Sequence, residues 1–303
     1  MKHGAGTIAR RVLVAACLIA LLDFSSGFIV QADQAPHLCT DSPPASNLPM
    51  LVVFPGFAAD GCAIRDAFTA VLGQPVRVVA VQYPEGDIDD DAIYALVRQE
   101  IVHASPERIV LLAGSMGGMV ATRFLTRLAQ DPSMSDFHSV ELFLDAAPIS
   151  QTAVRRPPAL FALSRIYRGG IISSLGWRLL SRFQDLPALE PGVSTVAVDE
   201  GNAYNRGLGT WTLTAQARYI ADFDPQEISS ALPAVRRATY LTSPRSGLDP
   251  VVDVPRSIEG WRRYIPDLEV EVSPSRNGEW HLPWTYRPRE LLTAMGFLHT
   301  TLD

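Results

Sequence analysis

The run Leu111-Leu112-Ala113-Gly114-Ser115-Met116-Gly117-Gly118 constrains this chain more than any other feature. An apolar stretch with the character of a buried strand, Ile109 to Leu112, leads straight into a serine, and an amphipathic helix with Val120, Phe124 and Leu128 on one side follows at once. For strand and helix to pack that closely, the serine must adopt a strained backbone angle, and the residues two before and two after it must be small. Ala113 and Gly117 meet the requirement. The spacing therefore predicts a strand–turn–helix that presents Ser115 at its tip.

The N-terminus is set apart from the fold. Lys2, Arg10 and Arg11 precede an uninterrupted apolar stretch from Val12 to Leu22, and Val30-Gln31-Ala32 offers small residues for cleavage, so residues 1–32 read as a secretory signal peptide and the protein as exported. Asp23, Ser25, Ser26 and Gly27 interrupt the apolar run short of the ~20 residues that a span needs. An uncleaved anchor, a lipoprotein box at Val14-Ala15-Ala16-Cys17 and a twin-arginine signal at Arg10-Arg11 stay open as alternatives. Residues 33–303 suffice for one large domain. The net charge of −6 becomes more negative still without the segment, which argues against nucleic acid as a partner. Cys39 and Cys62 then remain, too few for a metal cluster. In an oxidising compartment they form either one bridge or two buried thiols.

After a Pro/Ser-rich lead-in from Ala35 to Pro49, strand-like runs alternate with helical patterns: Leu51 to Phe54, Val76 to Tyr83, Ile109 to Leu112, Val140 to Leu144, Ala238 to Thr242 and Leu268 to Val272. The alternation predicts an α/β fold with about six parallel strands and helices on both faces. The lead-in is too short for additional antiparallel strands and is expected to stay unpaired. One helix is legible in detail, with Asp89, Asp90 and Asp91 at its positive end, Ile93, Leu96, Val97 and Ile101 on one side, and Ser105-Pro106 ending it. Residues 150–237, between the fourth and fifth strands, are far too many for an ordinary connection and are expected to form a helical lid.

Taken together, the elbow around Ser115 and this order of elements resemble the α/β-hydrolase family, in its serine esterase and lipase-like branch, from Leu51 to the C-terminus. The resemblance implies a catalytic triad in the order serine, acid, histidine, with no metal and no cofactor. Among the six histidines only His281, in Asn277-Gly278-Glu279-Trp280-His281-Leu282-Pro283 after the last strand, stands where the family carries its base. The acid of the family follows a late strand, as Asp249 does in Gly247-Leu248-Asp249-Pro250; Asp253 and Asp145 are the alternatives. Asp253, just before Pro255, also reads as a helix cap. The family's oxyanion hole falls on the backbone N–H of Met116 and on the loop Phe54 to Gly61, with Phe57 the first choice for the second donor and Ala58 the other.

The implied activity is cleavage of a carboxylic ester or thioester with an apolar acyl part, on a small-molecule or lipid substrate. Acyl transfer on the same scaffold, or a binding protein that has lost catalysis, are the alternatives. Within the lid, Arg155 to Phe183 holds Arg155, Arg156, Arg165, Arg168, Arg178 and Arg182 with no acidic residue, interleaved with apolar side chains that include Phe161 and Trp177. Such a segment either meets anionic lipid or holds an acyl chain; otherwise it simply packs on the sheet with its arginines solvated. Gly169-Gly170 is expected to act as its hinge.

Overall fold

Every side chain of Met50–Phe54 is buried, yet successive ones enter different cores. Met50, Val52 and Phe54 belong to one apolar cluster, Leu51 and Val53 to the other. This period of two on a strand buried on both sides requires a sheet with helices over each face. The computed structural model describes residues 3–29, 35–40, 47–72, 75–84, 86–137, 140–156, 158–181, 209–273, 281–282 and 287–298. Its strands are β1 (His37–Thr40), β2 (Met50–Phe54), β3 (Arg77–Gln82), β4 (Ile109–Gly114), β5 (Val140–Asp145), β6 (Val235–Thr242) and β7 (Glu269–Val272). They form one seven-stranded sheet in the order β1-β3-β2-β4-β5-β6-β7.

The six strands from β2 onward are parallel, as the alternating pattern implies. The lead-in departs from expectation. His37–Thr40 pairs antiparallel with β3, His37 opposite Gln82 and Thr40 opposite Val79. Two things hold this strand where the Pro/Ser composition gave no sign of one. It covers an otherwise open edge of β3, and a disulfide joins Cys39 to Cys62.

The helices are α1 (His3–Ile29), α2 (Gly61–Val71), α3 (Asp90–Ala104), α4 (Gly117–Gln130), α5 (Pro158–Ile166), α6 (Ile171–Ser181), α7 (Thr210–Asp222), α8 (Glu227–Ala231), α9 (Val254–Tyr264) and α10 (Pro288–Ala294). Ile64 and Phe68 of α2 and Leu291 and Leu292 of α10 pack on one face of the sheet. Val97 and Ile101 of α3, Phe124 of α4 and Trp261 of α9 pack on the other. Helix α3 begins and ends as its sequence indicates: the Asp89 carboxylate accepts from the N–H groups of Asp91 and Ala92, and Ser105 closes it at φ +46°. Helices α5 to α8 all lie in the connection between β5 and β6.

The bridge closes a loop spanning 23 positions, which corresponds to about 3 kcal/mol of lost freedom in the unfolded chain. The double variant Cys39→Ser/Cys62→Ser is expected to unfold at lower denaturant by that order of free energy, and dithiothreitol should affect the parent chain alone. Equal stability of parent and variant would show that the strand β1 holds without its covalent tie.

Candidate active site

Strands β2 and β4 are parallel neighbours, with Phe54 opposite Ala113. From β2 the chain crosses to β3 on the far side before returning to β4, so the loops leaving the C-terminal ends of β2 and β4 part from each other. A crevice opens where they part, the usual position of a ligand in an open parallel sheet. Both motifs singled out in the sequence are there: the loop after Phe54 and the turn at Ser115.

Ser115 has φ +48°, is only 4% exposed, and donates its N–H to the Asp145 carbonyl at 2.9 Å. A positive φ is rare for a side chain of this kind and persists only where the surroundings enforce it. Here the enforcement comes from the approach of α4 to β2. A Cβ on Gly117 would lie 2.0 Å from the Phe54 carbonyl oxygen, and one on Gly118 would lie 2.7 Å from the Ala147 Cβ. Both glycines are therefore dictated by contact distance.

His281 follows β7. Its Nδ1 lies 2.9 Å from Oδ2 of Asp249. The other oxygen of that carboxylate accepts the N–H of Val251 at 2.7 Å and of Val252 at 2.8 Å. Asp249 is 3% exposed. Burial pushes its carboxyl upward, but the hydrogen bond and charge of His281 and the two backbone donors outweigh burial and hold it below the ordinary range. An ionised carboxylate only accepts, so Nδ1 carries a proton, and in the neutral ring Nε2 is then the nitrogen with the lone pair. The acid loop is itself braced: Val154 bridges Val252, Arg155 N–H reaches the Val251 carbonyl at 2.7 Å, and Asp253 N–H reaches that of Ala153 at 2.8 Å.

The two alternative acids stand elsewhere in the fold. Asp253 caps α9, its carboxylate accepting the Arg256 N–H. Asp145 ends β5, fully buried, with its carbonyl on the Ser115 N–H. Of the three, Asp249 is the one bonded to His281.

The backbone donors also separate. Ala58, at φ +60°, gives its N–H to Oε1 of Gln216 in α7 at 2.7 Å. Among the described residues, no acceptor takes the N–H of Met116 or of Phe57. Gln216 is 1% exposed and was not foreseen, since a glutamine within an insertion of unknown register carries no signal of its own. Neither was Leu282, held at φ +58° beside His281. Its side chain lies against Gly56, where an added Cβ would come within 3.3 Å of it.

Ser115 and His281 line one apolar cavity of about 800 Å³, with Phe57, Phe161, Trp177 and Val251 among its walls. Phe161 and Trp177 thus reach the site from α5 and α6. Arg182 and the stretch Asn277 to Trp280 lie outside the described residues, as does the side chain of Arg178.

The model of the alpha/beta hydrolase family matches residues 51–294, nearly all of the sheet and its helices. The chain belongs to the alpha/beta hydrolase family. No curated protein matches it in sequence. Solved structures resemble this hydrolase in fold. A carboxylesterase of the ammonia-oxidizing thaumarchaeon Nitrososphaera gargenis superposes with a TM-score of 0.60 at 14% identity, covering 88% of this chain and 96% of its own. A thermophilic esterase from Thermogutta terrifontis gives 0.57 at 18%, covering 86% and 91%. Est816, an N-acyl homoserine lactone degrading enzyme, gives 0.55 at 14%, covering 87% and 96%.

Two glycines of the hydrolase should respond oppositely to one added methyl group. Gly117→Ala forces the Phe54 carbonyl or the turn itself to move and is expected to lower the thermal midpoint sharply or prevent folding. Gly176→Ala in α6 meets nothing within 4 Å. It should be neutral or gain up to ~1 kcal/mol of helix propensity. Calorimetry of both variants checks this, and a Gly117→Ala protein as stable as its parent would contradict the close approach of α4 to β2.

Proposed function

We propose that this protein is an exported serine hydrolase that cleaves a carboxylic ester or thioester with an apolar acyl part through an acyl-enzyme. The observation that carries the proposal is the shared apolar cavity of Ser115, on its positive-φ turn, and His281, bonded to buried Asp249. Fold-level likeness to esterases and to a lactone-degrading enzyme is in keeping with ester chemistry. The Cys39–Cys62 bridge is in keeping with an oxidising compartment outside the cytoplasm.

In this mechanism the Ser115 hydroxyl attacks the acyl carbon while Nε2 of His281 takes its proton. The carbonyl π electrons move onto oxygen, and the backbone N–H groups of Met116 and Phe57 stabilise that oxyanion, each worth ~3–4 kcal/mol. Collapse of the tetrahedral intermediate breaks the bond to the alcohol or thiol, which leaves with the proton from His281. Water then repeats the sequence on the acyl-enzyme, releasing the acid and restoring Ser115. Asp249 holds the imidazole in the tautomer that leaves Nε2 free and stabilises the imidazolium. Phe161 and Trp177 supply apolar wall for the acyl part.

Ser115→Ala and His281→Ala are each expected to abolish turnover of p-nitrophenyl esters of graded acyl length while circular dichroism stays unchanged. Asp249→Asn should lower kcat by several orders of magnitude. Full activity in Ser115→Ala would remove the serine mechanism.

Gln216 would act indirectly, by holding the loop that carries Phe57. Gln216→Ala is expected to lower kcat about tenfold with little change in KM, the scale of one lost buried hydrogen bond. Gln216→Glu keeps the acceptor and should retain most of the rate. An unchanged kcat in Gln216→Ala would separate the loop from Gln216.

A further inference from the structure

Among the described residues, the large apolar side chains left exposed are not scattered. Nine lie on α1 and seven on α5 and α6, against three elsewhere. Helix α1 contains a 19-residue stretch, Arg10–Phe28, with mean hydropathy 1.8 and only 6% of it buried. At 1.5 Å per residue such a stretch reaches about 28 Å, close to the thickness of a bilayer's hydrocarbon core.

Two of the polar residues that interrupt this apolar run, Asp23 and Ser26, sit where α1 meets the start of α6. The Asp23 carboxylate accepts the N–H groups of Ile172 at 2.8 Å and Ser173 at 3.0 Å, and the Tyr167 hydroxyl at 2.6 Å. Ser26 Oγ accepts the Ile171 N–H at 3.0 Å. Backbones approach until only glycine fits: a Cβ on Gly27 would lie 1.9 Å from the Gly169 carbonyl oxygen, and one on Gly170 would lie 2.2 Å from Asp23 Oδ1. The Arg168 guanidinium lies over the Phe28 ring. A leader destined for removal has no need of such complementarity. The glycine pair expected to be a hinge is instead the seat of α1, with Gly169 at φ +82°.

We infer that α1 is retained as a membrane anchor whose outer end docks on α6, so that the exposed apolar side of α5 and α6 rests on the bilayer and the cavity takes its ester from lipid. Arg10 and Arg11, with Lys2, put the N-terminus in the cytoplasm by the positive-inside rule, and the bridged domain outside. Asp23 and Ser26, costly in a membrane if alone, are both partnered. Retention replaces the cleavage after Ala32 suggested by sequence. Delivery of a lipid-borne ester rests on the hydrolase reading; anchoring and docking do not.

The test uses the full chain in bacterial membranes. Intact mass spectrometry is expected to find residues before Ala32 in a protein that resists carbonate extraction and is released by detergent. A mature chain beginning at Asp33, or one recovered soluble, would overturn anchoring. Ser26→Cys with Ile171→Cys, in a Cys17→Ser background, should cross-link on mild oxidation; failure to do so in the retained chain would overturn docking. Replacing Leu163, Ile166, Leu175 and Leu179, which are outside the cavity wall, by glutamine should lower turnover of a long-chain ester in phosphatidylglycerol vesicles about tenfold and leave a short soluble ester unchanged. Equal effects on both substrates would overturn delivery from lipid. Absence of ester cleavage in the parent chain would instead remove the hydrolase reading, with the mass and the cross-link still reporting on the anchor.

Discussion

The contact between the start of α4 and the end of β2 decides the arrangement of the site. With no Cβ at Gly117, the helix comes in against the Phe54 carbonyl, and Ser115 is left on a turn that its own backbone preference would avoid. The cost of a left-handed serine is of the order of 1–2 kcal/mol and is met by the packing around it. Val120, Phe124 and Leu128 bury one side of α4 against the sheet, and the Ser115 N–H is tied to β5 through the Asp145 carbonyl. The same approach sets the loop after β2 beside the serine, because that loop starts at the carbonyl on which Gly117 rests.

The partner half of the site is built on a different principle. Asp249 and His281 come from loops after β6 and β7, where hydrogen bonds act beside the positive φ of Leu282. The carboxylate is held by backbone donors from its own loop, and that loop is held by the first residues of the insertion, Ala153 to Arg155. The insertion therefore does more than give Phe161 and Trp177 to the cavity wall. It braces the acid loop at one end, and through Gln216 it grips the loop after β2 at the other. A disturbance in α7 should be felt at the serine through this grip.

Much of this was legible in the sequence because its causes are local. The strand–turn–helix at Ser115 follows from small residues at fixed spacing, the parallel sheet from apolar runs alternating with helical patterns, and α3 from Asp89 and Ser105. Strand β1 was not legible, since its pairing depends on a neighbouring edge and a distant cysteine rather than on His37 to Thr40 themselves. Asp249 stands first among the three acids on the family resemblance, and its bond to His281 is a spatial contact that the sequence does not carry. The role of Gln216 and the docking of α1 on α6 also depend on approaches between segments far apart in sequence. Asp23 shows the difference most plainly: read along the chain it breaks an apolar run, whereas in space it accepts two backbone donors at the start of a helix.

Labelling with a fluorophosphonate, followed by peptide mapping, tests the proposed nucleophile most directly. The expected result is a single adduct on Ser115 in the folded protein, strongly slowed in His281→Ala because the base that activates the serine is gone. An adduct on a different residue, or a folded parent chain that takes no label, would contradict a nucleophile at Ser115.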